Sequence, residues 1–76
     1  MENSKPTVLY ILNCCIKQNI KSYGITCLKD GTAIHIAPDL NINRDNVNAL
    51  ITRMNRFRLA PVHFWDVIHD EIDELI

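Results

Sequence analysis

The stretch SYGITCLKDGTAIHIAP (residues 22–38) decides the predicted fold, because two alternating apolar runs flank Asp30 and Gly31. An Asp-Gly pair suits a two-residue type I′ turn, in which both central residues need positive φ. The turn predicts these cross-strand pairs: Cys27 with Ile34 and Ile25 with Ile36 on one face, and Thr26 with His35 on the other. The stretch therefore predicts an antiparallel hairpin with one apolar face and one mostly polar face. Pro38 is expected to end its second strand, because proline cannot donate a hydrogen bond to a ladder.

The preceding segment TVLYILNCCIK (residues 7–17) predicts a third strand that is apolar on both faces. A strand of this kind usually has both of its faces covered. Two helices can cover one face of the sheet, so we expect a second copy of the protein to cover the other. The candidate residues for self-association are Leu9, Ile11 and Cys15.

From residue 43 onward the apolar residues recur with a period near 3.6, which predicts two helices. The first covers residues 43–58, with Asn43 as its N-cap. The second covers residues 61–76, with Pro61 in its first turn. Its apolar stripe contains Phe64, Trp65, Ile68, Ile72, Leu75 and Ile76. We expect Trp65 to anchor this helix on the sheet.

The predicted fold class is α+β. A three-stranded antiparallel meander (β-β-β, within residues 7–38) precedes two helices (α-α) that pack on one face of the sheet, giving two layers. The chain has 76 residues, which predicts a single small domain over residues 1–76. A core of this size rarely supplies more than about 3–5 kcal/mol without a staple, a metal or a partner.

The net charge of −1 gives no overall attraction to nucleic acid or to an anionic membrane. Charge is nevertheless uneven, because residues 44–58 contain four arginines and one acid, whereas residues 59–76 contain five acids and no Lys or Arg. Arg53, Arg56 and Arg58 are a candidate basic patch for nucleic acid. The net-negative chain disfavours that interpretation, and we expect the two segments to neutralise each other.

His63, Asp66 and Asp70 are spaced i, i+3 and i+7, which places them on one face of the second helix. Three N and O ligands can hold a divalent metal ion. Metal sites in helical proteins usually draw ligands from facing helices, so a solvated helix surface that pairs with the arginines is the alternative. The metal site is kept as a candidate.

Motifs for catalysis are missing from the sequence, which has no G-x-S-x-G, no H-E-x-x-H and only two glycines. The predicted register places Cys27 and His35 on opposite faces of the hairpin, which disfavours a Cys–His nucleophile. So small a core leaves little room for a ligand pocket of about 300 Å³ or more. We therefore expect no cofactor and no catalytic residues, disfavour an enzyme, and infer no small-molecule substrate.

The apolar run Val8 to Leu12 is too short for a secretory signal or a membrane span. The cysteines are Cys14, Cys15 and Cys27, an odd number without metal-site spacing, so we expect free thiols. Both features predict a cytoplasmic protein that does not use a membrane.

The segment NRFRLAPVHFWDVIHD (residues 55–70) resembles a family of short, uncharacterised proteins from Gram-positive bacteria. The family pattern is an Asn near a helix end, then L-x-P and H-(L/F)-x-D-V-(V/I)-x-D. The residues that match it are Asn55, Leu59, Pro61, His63, Phe64, Asp66, Val67, Ile68 and Asp70. The similarity covers roughly residues 22–72, and the sequence departs from the pattern at Trp65 and Ile72. The resemblance implies a bacterial cytoplasmic setting, no known activity, and renewed interest in His63, Asp66 and Asp70.

Three functions follow from these observations, in order of preference. The first is a small interaction or regulatory module without catalytic activity, which binds itself as a homodimer through the sheet or binds another protein. The second is a divalent-metal-binding protein or metal-dependent enzyme that uses His63, Asp66 and Asp70. The third is nucleic-acid binding through the arginines of the first helix.

Overall fold

The computed structural model describes the backbone of residues 7–75 and the side chains of residues 7–71. Three antiparallel strands come first: β1 (Val8–Lys17), β2 (Ile20–Lys29) and β3 (Thr32–Asn41), with β2 in the centre. The helices follow as α1 (Arg44–Arg56), a 3₁₀ turn (Pro61–His63) and α2 (Phe64–Leu75). The predicted α+β meander followed by two helices is confirmed.

Both hairpins turn through two residues with positive φ. Asp30 and Gly31 have φ values of 53° and 83°, which confirms the predicted turn. Gln18 and Asn19 have φ values of 52° and 65° and make a second turn of the same kind, which the sequence analysis did not identify. The strand pairing begins directly at each turn, with Lys17 opposite Ile20 and Lys29 opposite Thr32.

Each of the three cross-strand pairs predicted between β2 and β3 is wrong. The pairing shifts by one residue between Cys27 and Leu28, so that Cys27 lies opposite His35 and Ile25 lies opposite Ala37. Ile34 is the extra residue of a β-bulge, which inserts one residue into one strand. A shift of one residue sends every later side chain of β3 to the other face, because side chains alternate along a strand.

A second irregularity lies near Pro38, where the predicted strand end is also wrong. β3 continues to Asn41, and Tyr23 pairs with Asn41. Pro38 is tolerated because β3 is an edge strand, on which a missing N–H interrupts no second ladder. A Cβ atom on Gly24 would collide with the carbonyl oxygen of Ala37, so glycine permits the close approach of β2 and β3 here.

Helix α1 begins and ends with defined caps. The side-chain oxygen of Asn43 accepts hydrogen bonds from the backbone N–H groups of Asp45 and Asn46, which confirms the predicted N-cap. At the other end, the N–H of Arg58 donates to the Asn55 carbonyl and the N–H of Leu59 donates to the Met54 carbonyl. This is a Schellman motif, with Arg58 at φ 52° where glycine is usual.

Helix α2 packs through a different stripe from the predicted one. Phe64 and Ile68 are buried and Val67 packs against the core, but Trp65 remains 41% exposed. Trp65 contacts Phe64 edge-on, so the expectation that the indole anchors the helix is wrong and Phe64 takes that position. The predicted stripe also contains Ile72, Leu75 and Ile76, whose side chains lie outside the described residues.

Candidate functional site: the uncovered face of the sheet

The helices cover only one face of the sheet. Tyr10, Ile25, Cys27 and Ala37 point toward α1 and α2 and join the core. We call the opposite side the outer face. By strand alternation and register, the outer face consists of Leu9, Ile11, Asn13, Cys15 and Lys17 on β1, Ile20, Ser22, Gly24, Thr26 and Leu28 on β2, and Ala33 and Ile36 on β3.

Large apolar side chains of the outer face are in contact with solvent. Leu9 is 46% exposed, Ile11 37% and Ile36 56%. Ile36 lies here because of the β-bulge, since the predicted register would have placed it on the covered face. The structure thus brings together the self-association candidates Leu9, Ile11 and Cys15, and adds Leu28 and Ile36 to the same face.

Polar groups of the outer face bond to one another. The amide of Asn13 donates to the hydroxyl of Thr26 at 3.0 Å, near the middle of the face. At one end, a hydrogen bond from Ser22 lowers the pKa of Asp39, and Lys17, at 3.5 Å from Asp39, adds to the effect. Among the described residues, no buried side-chain N or O atom lacks a hydrogen-bond partner. The bond between Asn13 and Thr26 would remain in place if another molecule covered the middle of the face.

All three cysteines are free thiols, in different surroundings. Cys15 is half-buried on the outer face, and Cys14 is exposed. Cys27 and His35 lie on the same face of the sheet, so the prediction that separated them is wrong. The thiol of Cys27 is nevertheless buried, and burial raises its pKa. A raised pKa disfavours the thiolate that a nucleophile needs.

Several residues of the 55–70 segment hold Tyr10 in place. The Asn55 amide accepts from the Tyr10 N–H and donates to the Tyr10 carbonyl, both at 2.9 Å. The Tyr10 hydroxyl donates to the Leu59 carbonyl at 2.7 Å, and the ring stacks on Phe64 with centroids 5.9 Å apart. Burial raises the pKa of Tyr10 above its usual value. This segment therefore fastens the helical layer to β1, a role that the sequence analysis missed.

His63, Asp66 and Asp70 lie at the surface. The His63 Nδ1 atom is 3.9 Å from a carboxylate oxygen of Asp66, with both side chains well exposed, and Asp70 is exposed as well. Among the described side chains, no group of three His, Cys, Asp or Glu residues is arranged to hold a metal ion. The metal site remains a prediction without a supporting geometry.

The candidate basic patch is spread over three different contacts. Arg53 bonds to Glu71 of α2 at 3.3 Å, as expected for neutralisation between the two segments. Arg56 lies over the ring of Phe57, with 5.8 Å from its guanidinium carbon to the ring centroid. Arg58 occupies the cap of α1. Nucleic-acid binding therefore remains a prediction, and these contacts give it no support.

A cavity of about 550 Å³ lies between β1 and the end of α1. It is lined by Thr7, Val8, Leu9, Tyr10, Met54, Asn55, Arg58, Leu59, Ala60 and Pro61. This space is larger than expected for so small a domain, and it is a cleft open to the surface, not an enclosed cavity in the core. Asn55 and Tyr10 use their polar atoms on each other or on Leu59, which leaves Arg58 as its charged lining residue.

Within the part of the chain that the structure describes, no helix has both the length and the apolar character needed to cross a bilayer. Residues 2–74 match a family of unknown function (DUF6514), and the chain belongs to that family. Comparisons with curated proteins and with solved structures found no match.

Proposed function

We propose that this member of a family of unknown function is a small interaction module that binds a second copy of itself through the outer face of its sheet. The observation that carries the proposal is the exposure of Leu9, Ile11 and Ile36 on a face that no helix covers. An apolar patch of this kind on a small protein commonly marks an interaction site.

The charge of the outer face favours a second copy as the occupant. By register its middle contains apolar and neutral polar residues, and Lys17 at its end pairs with Asp39. Two identical faces can therefore meet without opposing like charges, which are costly at an interface. Two sheets of this kind pack about 10 Å apart with strand directions nearly aligned.

The size of the face implies weak association. Three strands of ten residues cover roughly 33 Å by 14 Å, or about 450 Å². Two such faces bury about 900 Å² in total, less than the roughly 1,200–2,000 Å² of a stable interface. We therefore expect a reversible complex that forms at high protein concentration.

We place the protein in the cytoplasm of a bacterial cell as part of this proposal. The support is the three free thiols, which suit a reducing compartment, and the resemblance stated above. No catalytic role is assigned to it.

Sedimentation velocity between about 10 µM and about 1 mM tests the proposal. We expect the average mass of the wild-type protein to rise above the 8.8 kDa of one chain as the concentration increases. The double variant Leu9→Lys/Ile36→Lys places charges on the outer face and should weaken association at least about tenfold. Val62→Lys is the matched control, because Val62 is 78% exposed and lies in the 3₁₀ turn.

Circular dichroism should show that both variants remain folded, since each substituted side chain is exposed. A wild-type protein that stays at one chain up to about 1 mM would overturn the proposal. Equal loss of association in the control would also overturn it, because the effect would then come from charge alone.

A further inference from the structure

The two edges of the sheet differ in how they are protected. The free edge of the sheet at β3 has two register irregularities, Pro38, and Asp39 at φ 59°. These are devices by which proteins prevent an edge strand from pairing with another chain. The pairing of β1 with β2 continues through ten residues without a break, so β1 itself is regular along its whole length.

The first part of the β1 edge is already occupied. In an antiparallel pair, alternate residues direct their N–H and C=O groups toward the neighbouring strand and away from it. The Tyr10 N–H and C=O point away from β2, because both bond to the side-chain amide of Asn55. Asn55 thus takes the place that a peptide group of a further strand would take.

The second part of the edge has the same geometry and no such side chain. By alternation from Tyr10, the N–H and C=O groups of Leu12, Cys14 and Ile16 also point away from β2. Among the described residues, these outward-pointing N–H and C=O groups have no hydrogen-bond partner. We call residues 12–16 the open edge. It contains no proline, bulge or charged residue.

We propose that the open edge pairs with the open edge of a second copy, antiparallel, about a two-fold axis at Cys14. This pairing joins two sheets into one of six strands. This inference rests on the proposed function, because the partner is again a second copy of the chain. It adds a second surface, the open edge, through which two copies bind.

In this arrangement, residues 12–16 of one copy pair along their whole length with residues 12–16 of the other. Leu12 lies opposite Ile16 of the second copy, Cys14 opposite Cys14, and each of these pairs exchanges two hydrogen bonds. The next residue that points outward, Tyr10, would lie opposite Gln18, where the turn has begun and where Asn55 occupies the edge. Pairing therefore ends where both chains cease to offer free groups.

The side chains along the open edge also suit a second copy. Leu12 and Ile16 make an apolar cross-strand pair, a type that stabilises sheets. Lys17 would lie opposite Ile11, so no like charges face each other across the two-fold axis. Ile16 is exposed, and its hydrocarbon surface gains cover in the pair.

Edge pairing also increases the size of the outer face. The outer faces of two chains become continuous, so two six-stranded sheets that pack together bury about 1,800 Å², within the range of stable interfaces. The two-fold axis of edge pairing is perpendicular to the sheet, whereas that of face packing lies in the plane between the sheets. Perpendicular two-fold axes close into an assembly of four chains, a common form of symmetric oligomer.

Cys14→Pro tests the edge directly, with Cys14→Val as the matched control. Proline removes the outward N–H of residue 14 and leaves the β1–β2 ladder intact, whereas valine keeps the N–H and removes the thiol. In sedimentation velocity, we expect Cys14→Pro to abolish four-chain species and to lower the association constant at least about tenfold. Cys14→Val should associate like the wild-type protein. Ile16→Pro repeats the test at the neighbouring outward position if Cys14→Pro does not fold.

Amide hydrogen exchange gives a second measurement that separates the edge from the face. We expect the N–H groups of Leu12, Cys14 and Ile16 to become protected as the wild-type concentration rises, while the Tyr10 N–H is protected at every concentration. In Leu9→Lys/Ile36→Lys, edge pairing should persist and assembly should stop at two chains.

Each failure has its own signature. Proline variants that associate like the wild-type protein, or edge amides that exchange equally fast at all concentrations, would overturn edge pairing and leave the face proposal intact. Lysine variants that still form four chains would overturn the face proposal while the edge amides remain protected.

Discussion

Both faces of this sheet contain large apolar residues, but the helices cover only one of them. On the covered face, Tyr10 and Ile25 are almost completely buried beneath the helices. On the outer face, Leu9 and Ile36 are about half exposed, although they are as apolar as their counterparts. The difference indicates that apolar residues on the covered face provide stability to the single chain, whereas those on the outer face contribute only when another molecule covers them.

The largest expected effect comes from a substitution in the core beneath the covered face. Phe64 is fully buried and stacks on Tyr10 and on His35, so Phe64→Ala should lower the free energy of unfolding by about 3–5 kcal/mol. Ile36→Ala on the outer face should change it by only about 0.5–1 kcal/mol. Urea unfolding at low protein concentration measures both, and a Phe64→Ala chain that is already unfolded without urea agrees with the larger loss. Similar losses for the two variants would mean that the faces do not differ in the single chain.

An intermediate effect is expected where the helical layer is attached to β1. Asn55→Ala leaves the N–H and C=O of Tyr10 without their partner, which should cost about 1–3 kcal/mol of unfolding free energy. Asn46→Ala is the matched control, because Asn46 is an exposed asparagine of the same helix. The assignment of Asn55 as the attachment would be contradicted by equal stability of the two variants in urea unfolding.

The smallest effect concerns a single hydrogen bond beneath the helices. Tyr10→Phe removes the bond to the Leu59 carbonyl and should cost about 1 kcal/mol near neutral pH. Burial raises the pKa of Tyr10 in the folded state above the 10.0 of an ordinary tyrosine. The unfolded chain therefore ionises first as pH rises, and stability that is complete below pH 10 is lost above it.

Removal of the phenol should reduce this alkaline loss. Unfolding free energies between about pH 7 and about pH 11 should fall less steeply for Tyr10→Phe than for the wild-type protein. Tyr23→Phe, on the same face and only half-buried, is the control. If Tyr10→Phe and the wild-type protein lose stability with the same pH slope, ionisation of Tyr10 does not cause the alkaline loss, and the prediction is contradicted.

The sequence predicted those features of the fold that depend on a few neighbouring residues. Asp30 and Gly31 determine a turn because few residues adopt positive φ, and Asn43 caps a helix through its own side chain. The β-bulge at Ile34 has no such local signal, since Ala33, Ile34 and Ile36 suit either register. Contacts with α2 favour the observed one, because they place His35 against Phe64.

The orientation of α2 shows a second limit. On a helical wheel, Trp65 and Val67 each lie about 80° from the line through Phe64 and Ile68, on opposite sides. The prediction favoured Trp65 because Ile72 and Ile76 lie on its side of the wheel. The structure packs Val67 against the core instead.

The sequence predicted part of the outer face, where the pairing of the strands is regular, and missed the part that depends on the bulge. Leu9, Ile11 and Cys15 were identified because β1 pairs regularly with β2, so alternation alone assigns their face. Ile36 was assigned to the same face as Ile25 and Cys27 because the bulge was not anticipated. The attachment of Asn55 to Tyr10 joins residues 45 positions apart, and no local pattern reveals such a bond.

Methyl chemical shifts across a dilution series test the central claim most directly. If the outer face binds a second copy, the methyl signals of Leu9, Ile11 and Ile36 should move together with concentration, while those of Val62, which is exposed elsewhere, should stay constant. Signals of the outer face that do not change up to about 1 mM, or that change only as much as those of Val62, would contradict the claim.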